Sequence, residues 1–210
     1  MDKMMKTIQQ KLDEGRQYRS VVEIRAIEDG MVVEGYATTF DTPYPLMETD
    51  DYVVYEQISR SAFDNTDMAD VIMQYDHEGR VFARISNGTL ELSVDDHGLH
   101  VRADLSGTEI GRQLYEEIRG GYTSKMSFGF TVESDEKTVS RDGTNTTILR
   151  TITGIRKLYD VSAVSLPANN ATEISARSYC DGVVAELTAE CRKQAEIERQ
   201  KKKIKIMLDL

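Results

Sequence analysis

From residue 21 onward apolar and polar positions alternate with a period of two, which predicts that most of the chain is extended. Val22, Ile24 and Ala26 alternate with polar residues, Glu28-Asp29-Gly30 supplies a turn, and Met31 to Phe40 runs back, the pattern of a hairpin. Pro43 and Pro45 predict a loop, Ser59 to Asn65 a short helix, and Val71 to Tyr75 another strand. Thr89 to Val94 is expected to pair with Leu99 to Leu105 across Asp95-Asp96-His97-Gly98. Only between Gly107 and Arg119 does the period lengthen, with Ile110, Leu114 and Ile118 on one helical face and Gly120-Gly121 as the stop. Lys125 to Val132 is extended again, and Thr146 to Ser165 is a long β-favouring stretch interrupted at Gly154 and closed by Pro167. Roughly seven strands with one central helix predict an α+β, β-rich fold with a β-barrel-like body rather than a parallel α/β sheet.

The ends have a different texture. Met1, Met4, Met5, Ile8 and Leu12 fall at helical spacing, and from Ser178 the chain lacks proline, has no glycine after Gly182, and is dense in glutamate and lysine. The expected division is an N-terminal helical extension (1–20), a β-rich body (21–177) and a C-terminal helical extension (178–210), the two ends serving assembly or packing rather than chemistry.

Composition narrows the function classes. The 210 residues carry 26 Lys and Arg against 36 Asp and Glu, a net charge of −10, which argues against a nucleic-acid partner because counterion release needs a basic face. No run approaches the roughly 18 apolar residues of a membrane span, and the lysines of the first ten residues are not followed by an apolar stretch, so neither membrane nor secretory signal is expected. Cys180 and Cys191, on one helix, would stand about 16 Å apart along its axis, too far for a disulfide. The chain reads as a soluble protein of a reducing, intracellular compartment.

Three histidines limit the candidate chemistry. His97 falls in a hairpin turn and His100 on the polar face of a strand, whereas His77 ends the apolar strand that begins at Val71, where a rigid frame can offer a side chain to a cleft. Ser127 lies in Met126-Ser127-Phe128-Gly129-Phe130, where alternation turns Met126, Phe128 and Phe130 to the core and Ser127 and Gly129 to the other face; Gly129 leaves space for a substrate backbone. Asp160 is a carboxylate inside an apolar strand, costly there without a partner. A serine hydroxyl needs a base, and the base needs an acid to hold its tautomer. Asp76 is the local rival for that third place, but adjacent strand side chains point to opposite faces. On spacing alone, structural roles for all of these residues stay open. No second histidine or nearby cysteine joins His77 and no glycine-rich phosphate loop occurs, so no metal or other cofactor is expected.

The ordered motifs add a resemblance. Gly35-Tyr36-Ala37-Thr38-Thr39-Phe40-Asp41, Ser61-Ala62-Phe63, Asp76-His77 before Gly79-Arg80, Gly88-Thr89-Leu90-Glu91-Leu92, Asp96-His97-Gly98-Leu99, Met126-Ser127-Phe128-Gly129-Phe130 and Asp160-Val161-Ser162 before Pro167-Ala168 together span residues 21–177. In that order they resemble the prohead (head-maturation) serine proteases of tailed bacteriophages, relatives of the herpesvirus assemblin proteases. The resemblance implies a herpesvirus-protease-like antiparallel barrel with surrounding helices, with His77 as general base, Ser127 as nucleophile and Asp160 as third member. Family members often carry glutamate at the third place, so Asp160 is one methylene shorter. The assemblins use a third histidine and an arginine pair, and no arginine pair follows Asp160 here. Further implied are scaffold and capsid protein as substrates, self-cleavage, a homodimer, and a location in the host cytoplasm inside assembling proheads. The competing expectation is a catalytically inactive capsid-assembly or scaffold module on the same fold, with an unrelated β-barrel binding protein as a third.

Overall fold

In the computed structural model, which describes residues 7–27, 30–143, 145–165 and 170–208, the alternating stretches become ten strands. In chain order the elements are α1 (Ile8–Asp13), β1 (Gln17–Ile27), β2 (Val32–Thr39), β3 (Tyr44–Glu48), β4 (Tyr52–Ile58), β5 (Ile72–Tyr75), β6 (Glu78–Arg84), β7 (Leu90–Val94), β8 (Gly98–Asp104), α2 (Glu109–Arg119), β9 (Lys125–Asp142), β10 (Asn145–Val164) and α3 (Asn170–Leu208). The long β9–β10 hairpin is the spine. Along its other edge β10 meets two strands in succession, both parallel: β4 beside Thr146 to Ile152, then β5 beside Asp160 to Ala163. A 3₁₀ turn, Arg60–Phe63, links those two and buries Ala62 and Phe63.

The expected antiparallel barrel is not formed. The order is β3-β4-β10-β9-β1-β2-β8-β7 with β5 and β6 as a branch from β10, a mixed sheet left open because no pairing joins β3 to β7 among the described residues. Closure into a barrel requires the terminal strands to meet. Alternation reveals which residues become strands, but neither their direction nor the edge they join. The hairpins expected at 22–40 and 89–105 form as β1–β2 and β7–β8. The Pro43/Pro45 loop is instead followed at once by β3, an edge strand, where the missing N–H of Pro45 is tolerated.

Helix α2 starts at Thr108, whose hydroxyl accepts from the Gly111 N–H, and buries Leu114, Tyr115 and Ile118 in the main core with Met73, Met126, Phe128, Phe130, Val161 and Ala163. A second core forms where Cys180, Val183 and Leu187 of α3 cover Val54 and Ile148. Both cysteines are free. Beyond this contact every described side chain of α3 from Ala189 to Ile204 is exposed. Among the described residues no helix is long and apolar enough to cross a membrane.

Candidate active site

Register brings the candidate residues together. Ser127 on β9 is opposite Ser162 on β10, Gly129 is opposite Asp160, Tyr18 on β1 is opposite Gly129, and Gln74 on β5 is beside Ser162. Because side chains alternate, these residues share one face of four neighbouring strands while Met126, Phe128, Val161 and Ala163 fill the core on the other. Sequence alternation thus separated the two faces of β9 correctly, although both prove buried.

His77 reaches this face from a tight turn. Tyr75 pairs with Glu78, leaving Asp76 and His77 as a two-residue loop with φ of 49° and 61°. Both central residues of a type I′ turn need positive φ, a conformation that Asn, Asp and Gly enter readily and that costs other residues, here His77, about 1–2 kcal/mol. The turn is tied down at several points. The Asp76 N–H donates to the Ala163 carbonyl at 3.0 Å, and the Ser165 N–H and hydroxyl donate to the two Asp76 carboxylate oxygens at 3.1 and 2.9 Å. The Lys11 ammonium, from α1, donates to the His77 carbonyl at 2.5 Å.

So held, the imidazole joins Ser127 to Asp160. His77 Nε2 is 2.6 Å from Ser127 Oγ, and Nδ1 is in hydrogen-bond contact with Asp160 Oδ2. With the Nδ1 proton donated to the carboxylate, Nε2 presents its lone pair to the serine hydroxyl. Ser162 Oγ also donates to Asp160 Oδ2, at 3.0 Å, and the Tyr18 ring lies 4.3 Å from the imidazole between centroids, tilted by 55°. His77, Ser127 and Ser162 are 0 % exposed and Asp160 1 %. Burial pushes the Asp160 carboxyl up, but the adjoining imidazole, its hydrogen bond, Lys11 and the Ser162 hydroxyl outweigh it and hold the group below its ordinary value.

Asp76 faces Ser165, and the acid that meets the imidazole is Asp160. His97 and His100 lie beside Tyr36 instead of in this cluster. The space at Gly129 is not open to a substrate backbone: a Cβ there would stand 2.5 Å from Asp160 Oδ1 and 2.8 Å from Tyr18 Cε1, so the missing side chain makes room for the carboxylate. Asp160 Oδ1 itself has no hydrogen-bond partner among the described residues. Sequence reasoning did not single out Ser162, Tyr18 or Lys11. Ser162 was within reach of the period-two rule, two positions beyond Asp160 on the same face. Tyr18 and Lys11 belong to the segment read as an appendage. Among the described residues no group of three or more His, Cys, Asp or Glu side chains is placed to hold a metal ion.

A serine, a histidine and a carboxylate in hydrogen-bonded sequence form the constellation of the serine hydrolases, which recurs on unrelated folds. The comparisons with known proteins name the class more closely. The family model described as Caudovirus prohead serine protease matches residues 20–183, and the chain belongs to that family. It is similar to the prohead protease of Enterobacteria phage HK97, with 27% identity over 164 residues that cover 77% of this chain and 67% of that protein. No solved structure gives a match. Membership makes the chain a serine protease of the phage head-maturation class. The matched span holds His77, Ser127, Asp160 and Ser162, whereas Lys11 and Tyr18 precede it.

Proposed function

We propose that the chain is a head-maturation endopeptidase in which Ser127 is the nucleophile, His77 the general base and then general acid, and Asp160 the group that orients and charge-stabilises His77. The observation that carries this reading is the unbroken contact from Ser127 Oγ through both ring nitrogens of His77 to Asp160 Oδ2. His77 Nε2 takes the Ser127 proton as Oγ attacks a peptide carbonyl; the imidazolium then protonates the leaving amine and the acyl-serine forms. Water repeats the cycle and frees the acid. Asp160 stays ionised throughout, in keeping with its lowered proton affinity.

The substrates in this reading are scaffold protein or scaffold segments of the capsid protein, and the chain itself, inside the assembling shell in the host cytoplasm. A homodimer belongs to the same reading. The projecting turns of α3 from Ala189 are the segment it assigns to docking and self-processing.

One observation favours a second reading. With Ser127 wholly buried, no peptide carbonyl reaches Oγ in this arrangement, as suits a resting form or a catalytically inactive assembly module. Co-expression of Ser127→Ala with capsid and scaffold separates the two. The proposed function requires processing to stop, and undiminished processing would establish the module instead.

A further inference from the structure

The turn that carries His77 is the one place in the site where the backbone itself is strained, at two successive non-glycine residues. Such conformations persist only where surrounding contacts over-determine them. Here the contacts come from two sides. On one, the Asp76 carboxylate receives both Ser165 donors and so fastens the turn just beyond the end of β10, the strand that carries Asp160. On the other, Lys11, 8 % exposed, reaches the His77 carbonyl from α1. Neither side chain hydrogen-bonds Ser127 Oγ or an imidazole nitrogen; Asp76 holds the flank of the turn, and Lys11 holds its backbone while its charge also helps keep the Asp160 carboxyl ionised.

We propose that Asp76 and Lys11 are positioning residues, a two-sided clamp that holds the left-handed Asp76–His77 turn and through it aims the imidazole at Ser127. The inference rests on the catalytic reading above for its kinetic consequence, but not for its structural one. Asp76 works in it as an acceptor for Ser165 and as a residue that tolerates positive φ, not as an anion. Asparagine keeps the left-handed conformation and one acceptor, its amide oxygen for the Ser165 N–H, while its NH2 can donate to the Ser165 hydroxyl oxygen in place of the second carboxylate oxygen. Arginine at position 11 keeps a cationic donor for the His77 carbonyl. Lys11 precedes the family-matched span, so this half of the clamp is supplied by the chain's N-terminal segment.

The test uses the full chain and two readouts. The first is phosphonylation of Ser127 by a small fluorophosphonate, resolved into its maximal rate and its half-saturating concentration. Asp76→Ala and Lys11→Met are expected to lower the maximal rate about 10- to 100-fold with little change in half-saturation, as for a misplaced reacting group. Asp76→Asn and Lys11→Arg should recover most of it. The second readout is the downfield proton signal of His77 Nδ1–H, expected sharp in wild type, Asp76→Asn and Lys11→Arg and broadened in the other two. Should Asp76→Ala not fold, Ser165→Ala removes one of the two donors and is expected to lower the rate by a smaller factor. Wild-type rates and an unchanged proton signal in Asp76→Ala and Lys11→Met overturn the clamp. So does an Asp76→Asn variant as impaired as Asp76→Ala, which would assign Asp76 an ionic role. Wild-type protein that takes no label counts against the nucleophile, and the proton signal then decides the clamp alone.

Discussion

Neighbouring residues of β1 reach two buried polar clusters, and the clusters differ in how completely they are bonded. Tyr18 lies against His77, while Arg19 enters a cluster with Glu56, Arg150, Tyr44 and Gln17. In that second cluster each Glu56 oxygen has two donors: Oε1 takes Arg19 Nε and the Tyr44 hydroxyl, and Oε2 takes Arg19 Nη2 at 2.9 Å and Arg150 Nη1 at 2.8 Å. Arg150 also bonds Asp135 and lies 3.9 Å from the centre of the Tyr179 ring on α3. The cluster ties β1, β3, β4, β9 and β10 to the long helix. In the site, by contrast, Asp160 Oδ2 serves two donors while Oδ1 has none among the described residues, and the chain of contacts ends at a hydroxyl whose proton has somewhere to go. A saturated ionic cluster holds elements in place; an unsaturated one, next to a nucleophile, is arranged to change its protonation.

Substitutions can break this contrast. Ser127→Ala is expected to cost about 10⁴- to 10⁶-fold in peptide hydrolysis and less than about 1 kcal/mol in stability, read by substrate turnover and urea unfolding of the same preparation. Asp160→Asn should reduce turnover by about 10³- to 10⁴-fold, because the amide favours the wrong imidazole tautomer. Glu56→Gln should do the reverse: a loss of about 3–5 kcal/mol in the urea midpoint analysis, since the buried Arg19 guanidinium loses its counter-charge and Arg150 keeps only Asp135, with the turnover of folded protein little changed. Burial pushes the Glu56 carboxyl up, but the two arginines hold it below its ordinary value, so the folded state binds that proton less readily than the unfolded chain. Its contribution is complete above the unfolded carboxyl value of about 4.3 and is lost as pH falls through the lower folded value. A thermal midpoint that drops below about pH 4 in wild type, with a smaller drop in Glu56→Gln, checks the sign. Gly129→Ala is the smallest of these effects, about 10-fold in turnover, through displacement of Asp160 by a Cβ that would otherwise stand 2.5 Å from Oδ1.

The two clusters were unequally legible in the sequence. His77 at a strand end, Ser127 alternating with core-facing residues and Asp160 in an apolar strand were each visible locally, and the ordered motifs joined them. Arg19 and Arg150 were not joined by the sequence, because their meeting depends on β10 running parallel to β4, where Arg150 lies beside Glu56. The same parallel partners, β4 and β5, make the sheet mixed where an antiparallel barrel was expected. Lys11 and Tyr18 were hidden for another reason: a polar stretch at helical spacing reads as a solvated end until the strand that follows it is seen to begin at Gln17.

The most direct test of the central claim is the intact mass of the protein after exposure to a fluorophosphonate, under conditions in which the wild type processes capsid protein. The account predicts one adduct, located on Ser127, that disappears in Ser127→Ala and is suppressed in His77→Ala. An adduct at another serine, or full labelling of Ser127 in the absence of His77, would contradict it.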